Sequence, residues 1–180
     1  MLYCYALFII MVTWNFLFNE QDFENYCDTL RHNCVAKLFY QGVNYPGFIQ
    51  VEERLAYFYY FPEELVVTKR YGFYALEDEG ELEWIEHFQG DPIPPNALSA
   101  NPHLENQRLY FGFMDLEYEA RFGPVLDDGN CYIPFFQDVT QITPEAILVW
   151  KTNSDGSFVC GEQKLRCTFG INITIFIHFP

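Results

Sequence analysis

The feature that most limits what this chain can become is a register with itself. The segment Ala56-Tyr57-Phe58-Tyr59-Tyr60-Phe61-Pro62-Glu63 lines up with Cys131-Tyr132-Ile133-Pro134-Phe135-Phe136-Gln137-Asp138, 75 residues on. Tyr57 then matches Tyr132, Phe61 matches Phe136 and Glu63 matches Asp138, with Thr68 matching Thr143 beyond them. Upstream, Val35-Ala36-Lys37 stands 76 residues before Phe111-Gly112-Phe113 and Gly47 stands 76 before Gly123, so a single one-residue gap reconciles the halves. Self-similarity at a fixed separation indicates tandem units that bury their apolar faces on one another. The chain holds 19 Phe, 13 Tyr and 3 Trp with no long Ala/Leu/Lys/Glu run, which selects strands over helices. At 180 residues it has room for two short repeats around one core. The expectation is an all-β, sandwich-like domain of two tandem interlocked repeats, with one short N-terminal helix.

Along the chain, Leu2 to Phe18 is almost continuously apolar. Without a preceding Lys or Arg or a small-x-small cleavage site, residues 1–18 read either as a targeting segment or as a first strand. Localisation therefore stays open between secreted and cytoplasmic. Phe23, Tyr26, Cys27 and Leu30 fall on one face of a helix between Glu20 and Asn33. Cys34 to Tyr40 reads as a strand closed by a turn from Gly42 to Gly47, and residues 19–76 form the first repeat. Glu77 to Glu81 is an acidic turn, too short and too irregular for a calcium loop. The second repeat, 82–151, contains an alternating half-buried strand through Tyr118, Ala120 and Phe122. It continues with a hairpin turn at Asp127-Asp128-Gly129-Asn130, the strand Cys131 to Phe136 and the strand Ile147 to Trp150. Residues 152–180 complete the domain with a turn at Asn153 to Gly156 and a strictly alternating strand from Leu165 to Phe179, in which Asn172-Ile173-Thr174 fits a glycosylation sequon. The core is expected to contain Val35, Leu38, Trp84, Leu109, Phe111, Tyr132, Ile133 and Trp150.

A formal charge of −15 repels phosphate backbones and anionic lipid, so nucleic acid is not an expected partner and a membrane role is not favoured. Six cysteines allow three disulfides, with Cys27/Cys34 and Cys160/Cys167 each enclosing six residues. There is no C-x-x-C, and His32, His87, His103 and His178 are scattered, so no metal site and no cofactor are expected. The sequence has no G-x-S-x-G, no H-E-x-x-H, no phosphate loop and no Cys/His pair at an informative spacing, which points away from an enzyme.

Trp84, Pro95, Ala97, Leu109-Tyr110-Phe111-Gly112, Gly123, Val125 and Cys131-Tyr132-Ile133-Pro134-Phe135 together resemble the DM9 repeat. That family occurs in tandem in invertebrate mannose-binding lectins and in the N-terminal modules of natterin-type toxins. In the first unit Val35-Ala36-Lys37, Pro46-Gly47-Phe48-Ile49 and Tyr57 to Tyr60 stand at the matching places, and Trp14 is the residue available for the leading tryptophan. The resemblance implies a lectin-type binding module. Family lectins hold sugar hydroxyls with an Asp of a G-x-D segment and the Lys of P-G-K, one site per repeat. Carried over residue by residue, these positions fall on His103 and Pro124 in the second unit, where Ala100-Asn101 replaces a double glycine. In the first unit the lysine position is Phe48, and Lys37 stands for the arginine of V-G-R. Neither proline nor phenylalanine donates a side-chain hydrogen bond. The candidate carbohydrate positions are thus Asn101, His103, Pro124, Lys37 and Phe48, with Tyr110, Tyr118 and Tyr132 available to stack on a sugar. The expected function is a non-enzymatic, lectin-like module with an altered or lost site for glycans. The alternative is a structural or protein-interaction domain that keeps the fold, and a homodimer is compatible with either.

Overall fold

Alternating apolar and aromatic runs punctuated by Gly, Asn and Asp become twelve strands and one α-helix among the residues that the computed structural model describes, 13–77, 80–116, 118–135 and 138–152. The first repeat supplies β1 (Trp14–Leu17), α1 (Glu20–Cys27), β2 (Cys34–Tyr40), β3 (Val43–Gln50), β4 (Leu55–Tyr60), β5 (Leu65–Lys69) and β6 (Phe73–Leu76). The second supplies β7 (Leu82–Glu86), β8 (Tyr110–Leu116), β9 (Glu119–Val125), β10 (Cys131–Phe135), β11 (Asp138–Ile142) and β12 (Ala146–Trp150). Each repeat folds into one antiparallel sheet. Their strand orders, β1-β6-β2-β3-β4-β5 and β7-β12-β8-β9-β10-β11, are the same order written twice.

Register makes the equivalence exact at the level of residues. Ala36 pairs with Gly47 on one side and Ala75 on the other, as Gly112 pairs with Gly123 and Ile147. One position further along, Leu76 faces Trp14 and Leu148 faces Trp84, so Trp14 does hold the place of the leading tryptophan. Gly47 and Gly123 are also required in the same way: a Cβ at either would fall on a carbonyl oxygen of the adjoining strand, that of Tyr57 or of Tyr132. Backbones that close leave no room for a side chain.

The sheets pack face to face, β3 against β9 and β4 against β10, so equivalent strands meet across a pseudo-twofold axis. Val35, Phe48, Tyr57, Leu98, Leu109, Phe111, Phe122 and Leu148 fill the space between them. The outer face of the first sheet is covered by α1, whose Phe23 and Cys27 pack with Leu17, Ile49, Phe58 and Phe73. Asn19 caps this helix by accepting from Asp22 N at 2.9 Å, and Arg54, from the β3–β4 turn, pairs with Glu24 and Asp28. Among the described residues no helix covers the outer face of the second sheet; Ile93 and Ala97 of the irregular segment before β8 pack there on Val125, Cys131, Ile133 and Val149.

Several expectations need correction. The Gly42–Gly47 turn is tighter than read, because the chain reverses at Gln41-Gly42 and Val43 onward is already β3. Tyr118 is not a strand residue: it occupies the β8–β9 turn at φ 70° and is fully exposed. Thr68 matches Gln141 rather than Thr143, since Tyr57 pairs with Thr68 and Tyr132 with Gln141. The β4–β5 connection is four residues long and the β10–β11 connection two, so a one-residue gap does not carry the repeat past Tyr60. Trp84 is 38% exposed, because β7 is an edge strand among the described residues and its indole rests on Phe122 and Phe113 at the rim of the inter-sheet core. Tyr132 and Trp150 are half-buried, whereas Val35, Leu38, Leu109, Phe111 and Ile133 are buried as expected. Cys27 and Cys131 are buried and form no disulfide, so the Cys27/Cys34 pairing is not made, while Cys160 and Cys167 lie outside the described residues. Cys27 points into the core beneath the first sheet, while Cys34 Sγ turns toward Tyr26 Oη at 3.7 Å. The readings for residues 1–12, Asn153 to Gly156 and the Leu165–Phe179 strand lie outside the described residues.

Candidate functional site

Two asparagines fasten the repeats together, and they do so reciprocally. Asn101, from the segment before β8, donates through Nδ2 to Asn44 O at 2.8 Å and accepts from Asn44 N at 2.7 Å. Asn33, just before β2, donates through Nδ2 to Ala120 O at 2.8 Å and accepts from Val51 N at 3.1 Å. Asn44 and Ala120 are equivalent positions of β3 and β9. Each repeat therefore sends an amide into the same backbone carbonyl of the other, and the interlocking consists of this exchange.

Beside each fastening the two sheets part at their rims. On one side lies a cleft of about 380 Å³, with Val43, Tyr45, Leu109 and Leu126 as an apolar floor, Phe61 on a wall, and Asn106, Gln107, Arg108, Asp127 and Asp128 around the mouth. The floor comes from both repeats. Asp127 and Asp128 stand in the β9–β10 turn, where Asp128 Oδ1 and Oδ2 accept from Asn130 N and Nδ2 at 2.9 and 2.8 Å and fix the loop. Burial, with Tyr60 and Glu63 nearby, raises the Tyr45 phenol above its ordinary range and keeps it neutral. The arrangement, an apolar floor under a rim of amides and opposite charges, suits a small polar ligand that has one apolar face.

At the pseudo-twofold counterpart the chemistry differs. Glu119 replaces Val43, Arg121 replaces Tyr45 and Gln50 replaces Leu126. Gln50 Nε2 and Arg121 Nη2 both donate to Glu119 Oε2 at 3.3 Å, and Gln50 and Arg121 are only 5% and 7% exposed. Side chains of this chain thus tie to one another where the first cleft offers a floor.

None of the five positions inferred from the sequence lines the cleft. Phe48 is fully buried and stacks on Tyr57 with ring centroids 5.5 Å apart, and Pro124 is buried in β9 opposite Phe111. Asn101 is 3% exposed and occupied by Asn44. His103 is exposed in the turn that follows it. Lys37 is half-buried on β2 with Nζ 3.9 Å from the centroid of the Trp14 ring, and burial pulls its ammonium down to about 8. Of the tyrosines considered for stacking, Tyr110 packs into the outer core of the second sheet and Tyr132 stacks on Tyr59 at 5.6 Å. Arg108, Asn106 and Gln107 carried no sequence signal, because the loop that bears them has no counterpart in the first repeat. Asp127 and Asp128 were legible as a hairpin turn, and their place at the mouth follows from where that hairpin ends.

Among the described residues no group of three or more His, Cys, Asp or Glu is placed to hold a metal ion, and no helix is long and apolar enough to cross a membrane. Compared with known proteins, residues 28–142 match the family model described as DM9 repeat. No curated protein and no solved structure matches the chain.

Proposed function

Taking as premise that the chain belongs to the DM9 repeat family, we propose that it is a non-enzymatic, lectin-like binding module whose carbohydrate contacts lie in the cleft between the repeats, not at the family's usual positions. The observation that carries this is the burial of Phe48 and Pro124. They occupy equivalent registers, next to the equivalent glycines Gly47 and Gly123, and both lie inside the protein. A lysine there would have held a sugar from the surface; these residues belong to strand packing. A hydrogen bond to a charged group contributes about 1.5–3 kcal/mol, and millimolar to micromolar affinity corresponds to about 4–8 kcal/mol. A repeat without its lysine and its aspartate retains little affinity by that mode. The cleft supplies the other kind of contact, an apolar floor for the C–H face of a pyranose and Arg108, Asn106 and Asp127 for its hydroxyls.

A glycan array probed with the full chain tests the reading. Hits are expected with the native protein and are expected to be lost with Arg108→Ala combined with Asp127→Asn, two exposed changes that leave the core alone. A second reading is a structural or protein-interaction domain, favoured by the reciprocal asparagine exchange, which holds the fold together without any ligand. A blank array would select it.

A further inference from the structure

A row of side chains runs across each sheet one step inside its edge, and the two rows have exchanged chemistry. In the first sheet it is Phe16 on β1, Tyr74 on β6, Lys37 on β2 and Pro46 on β3. In the second it is Glu86 on β7, Ala146 on β12, Phe113 on β8 and Phe122 on β9. The first row is full. Phe16 packs on Tyr74 at 4.7 Å and edge-on to Phe18 at 4.5 Å, and the Lys37 ammonium lies over Trp14 and 5.6 Å from the Tyr74 ring. The first repeat thus holds an ammonium of its own in an aromatic frame.

In the second row every one of these groups is altered in a complementary sense. Alanine stands where the Tyr74 ring would be and opens space. A carboxylate, Glu86, stands where Phe16 would be. Phe113 stands where Lys37 would be, so the cation is gone and an aromatic ring has taken its place. The result is an open groove of about 650 Å³ whose lining includes Glu86, Phe88, Phe113, Glu145 and Ala146. Phe88 is 65% exposed at its edge, and Trp84 flanks it from β7, packed on Phe113 at 5.8 Å.

We propose that this groove is a binding site for an organic ammonium group carried on an apolar stem, a primary amine of the alkylamine or lysine side-chain type. Phe113 and Phe88 contact the stem and offer ring faces to the charge, as Trp14 does to Lys37. Glu86 at the end of β7 and Glu145 just before β12 provide opposite charge from two segments, and the net charge of −15 concentrates cations at the surface. An external amine would occupy in the second repeat the role that Lys37 fills in the first. The site is separate from the inter-repeat cleft and does not rest on the glycan reading.

The test is a titration of the full chain, followed by protein-observed NMR, with n-butylammonium, with the neutral n-butanol, and with a lysine capped at both backbone ends. Binding of the two amines but not of the alcohol is expected, weakened about tenfold by Glu86→Gln with Glu145→Gln, which are exposed and leave the fold intact. Ala146→Tyr, which returns the ring of the first repeat to the groove, is expected to abolish it. Tighter binding of the capped lysine than of butylammonium would mark a peptide-borne amine as the source, and the reverse a free amine. The proposal is overturned if neither amine binds, if butanol binds as well as they do, or if the double glutamine variant binds the amines unchanged.

Discussion

Asn101 and Asn33 each satisfy a strand of the other repeat, and buried backbone groups that lose such a partner bear the full cost of desolvation. Asn101→Ala leaves the part-buried Asn44 N and O without their partner, and a loss of about 1–3 kcal/mol in denaturant unfolding is expected, against a change within about 0.5 kcal/mol for the exposed His103→Ala two residues away. Lys37 gives a pH signature. Its folded pKa of about 8 lies below the ordinary 10.5 because burial penalises the ammonium. Between those values the unfolded chain keeps a proton that the folded chain has released, so stability from this site rises with pH across that window. Unfolding of the native chain and of Lys37→Met, compared at about pH 7.5 and about pH 9.5, is expected to show the balance shifting toward the native chain at the higher pH. None of this was written in the spacing of residues. Asn33 and Asn101 are 68 residues apart rather than 76, and a side chain that bonds to a distant backbone leaves no pattern in its own neighbourhood.

At the scale of elements, what could be read in advance was whatever strand geometry forces to recur. The Gly47/Gly123 match survives because a Cβ at either place meets a carbonyl of the adjoining strand, and Gly123→Ala is expected to cost more than about 3 kcal/mol or to prevent folding, judged by thermal melting. Helix α1 is legible through Phe23, Tyr26 and Cys27 at helical spacing, though it ends at Cys27, short of Leu30, and it covers the first sheet. Phe23 is fully buried against Phe73 at 5.6 Å, so Phe23→Ala is expected to destabilise by about 3–5 kcal/mol. The Thr68/Thr143 match fails because turn length is free to drift where strand register is not. Trp84 was misplaced for a related reason: aromatic residues suit core and rim equally, and only the strand order reveals that β7 is an edge. The cleft was illegible because one side of its mouth, Asn106 to Arg108, is built by a loop present in one repeat alone.

For the molecule as a whole, one sheet order has been used twice and the two copies have diverged in what their surfaces present. The shared frame is symmetric in position, with Phe48 and Pro124, Tyr57 and Tyr132, and Trp14 and Trp84 at equivalent registers. The rims are not: an open cleft faces a tied Gln50–Glu119–Arg121 cluster across the axis, and a filled row faces an open groove. Divergence of this kind is what a binding module would need in order to keep the family's frame while changing its ligand. The claim that buried Phe48 and Pro124 have taken the family's lysine positions out of sugar binding is tested most directly by isothermal titration of the full chain with mannose. No saturable heat is expected up to low-millimolar sugar, since the two donor positions are buried Phe48 and Pro124 and contribute no hydrogen bond. A micromolar Kd for mannose that persists in Arg108→Ala with Asp127→Asn would contradict the account.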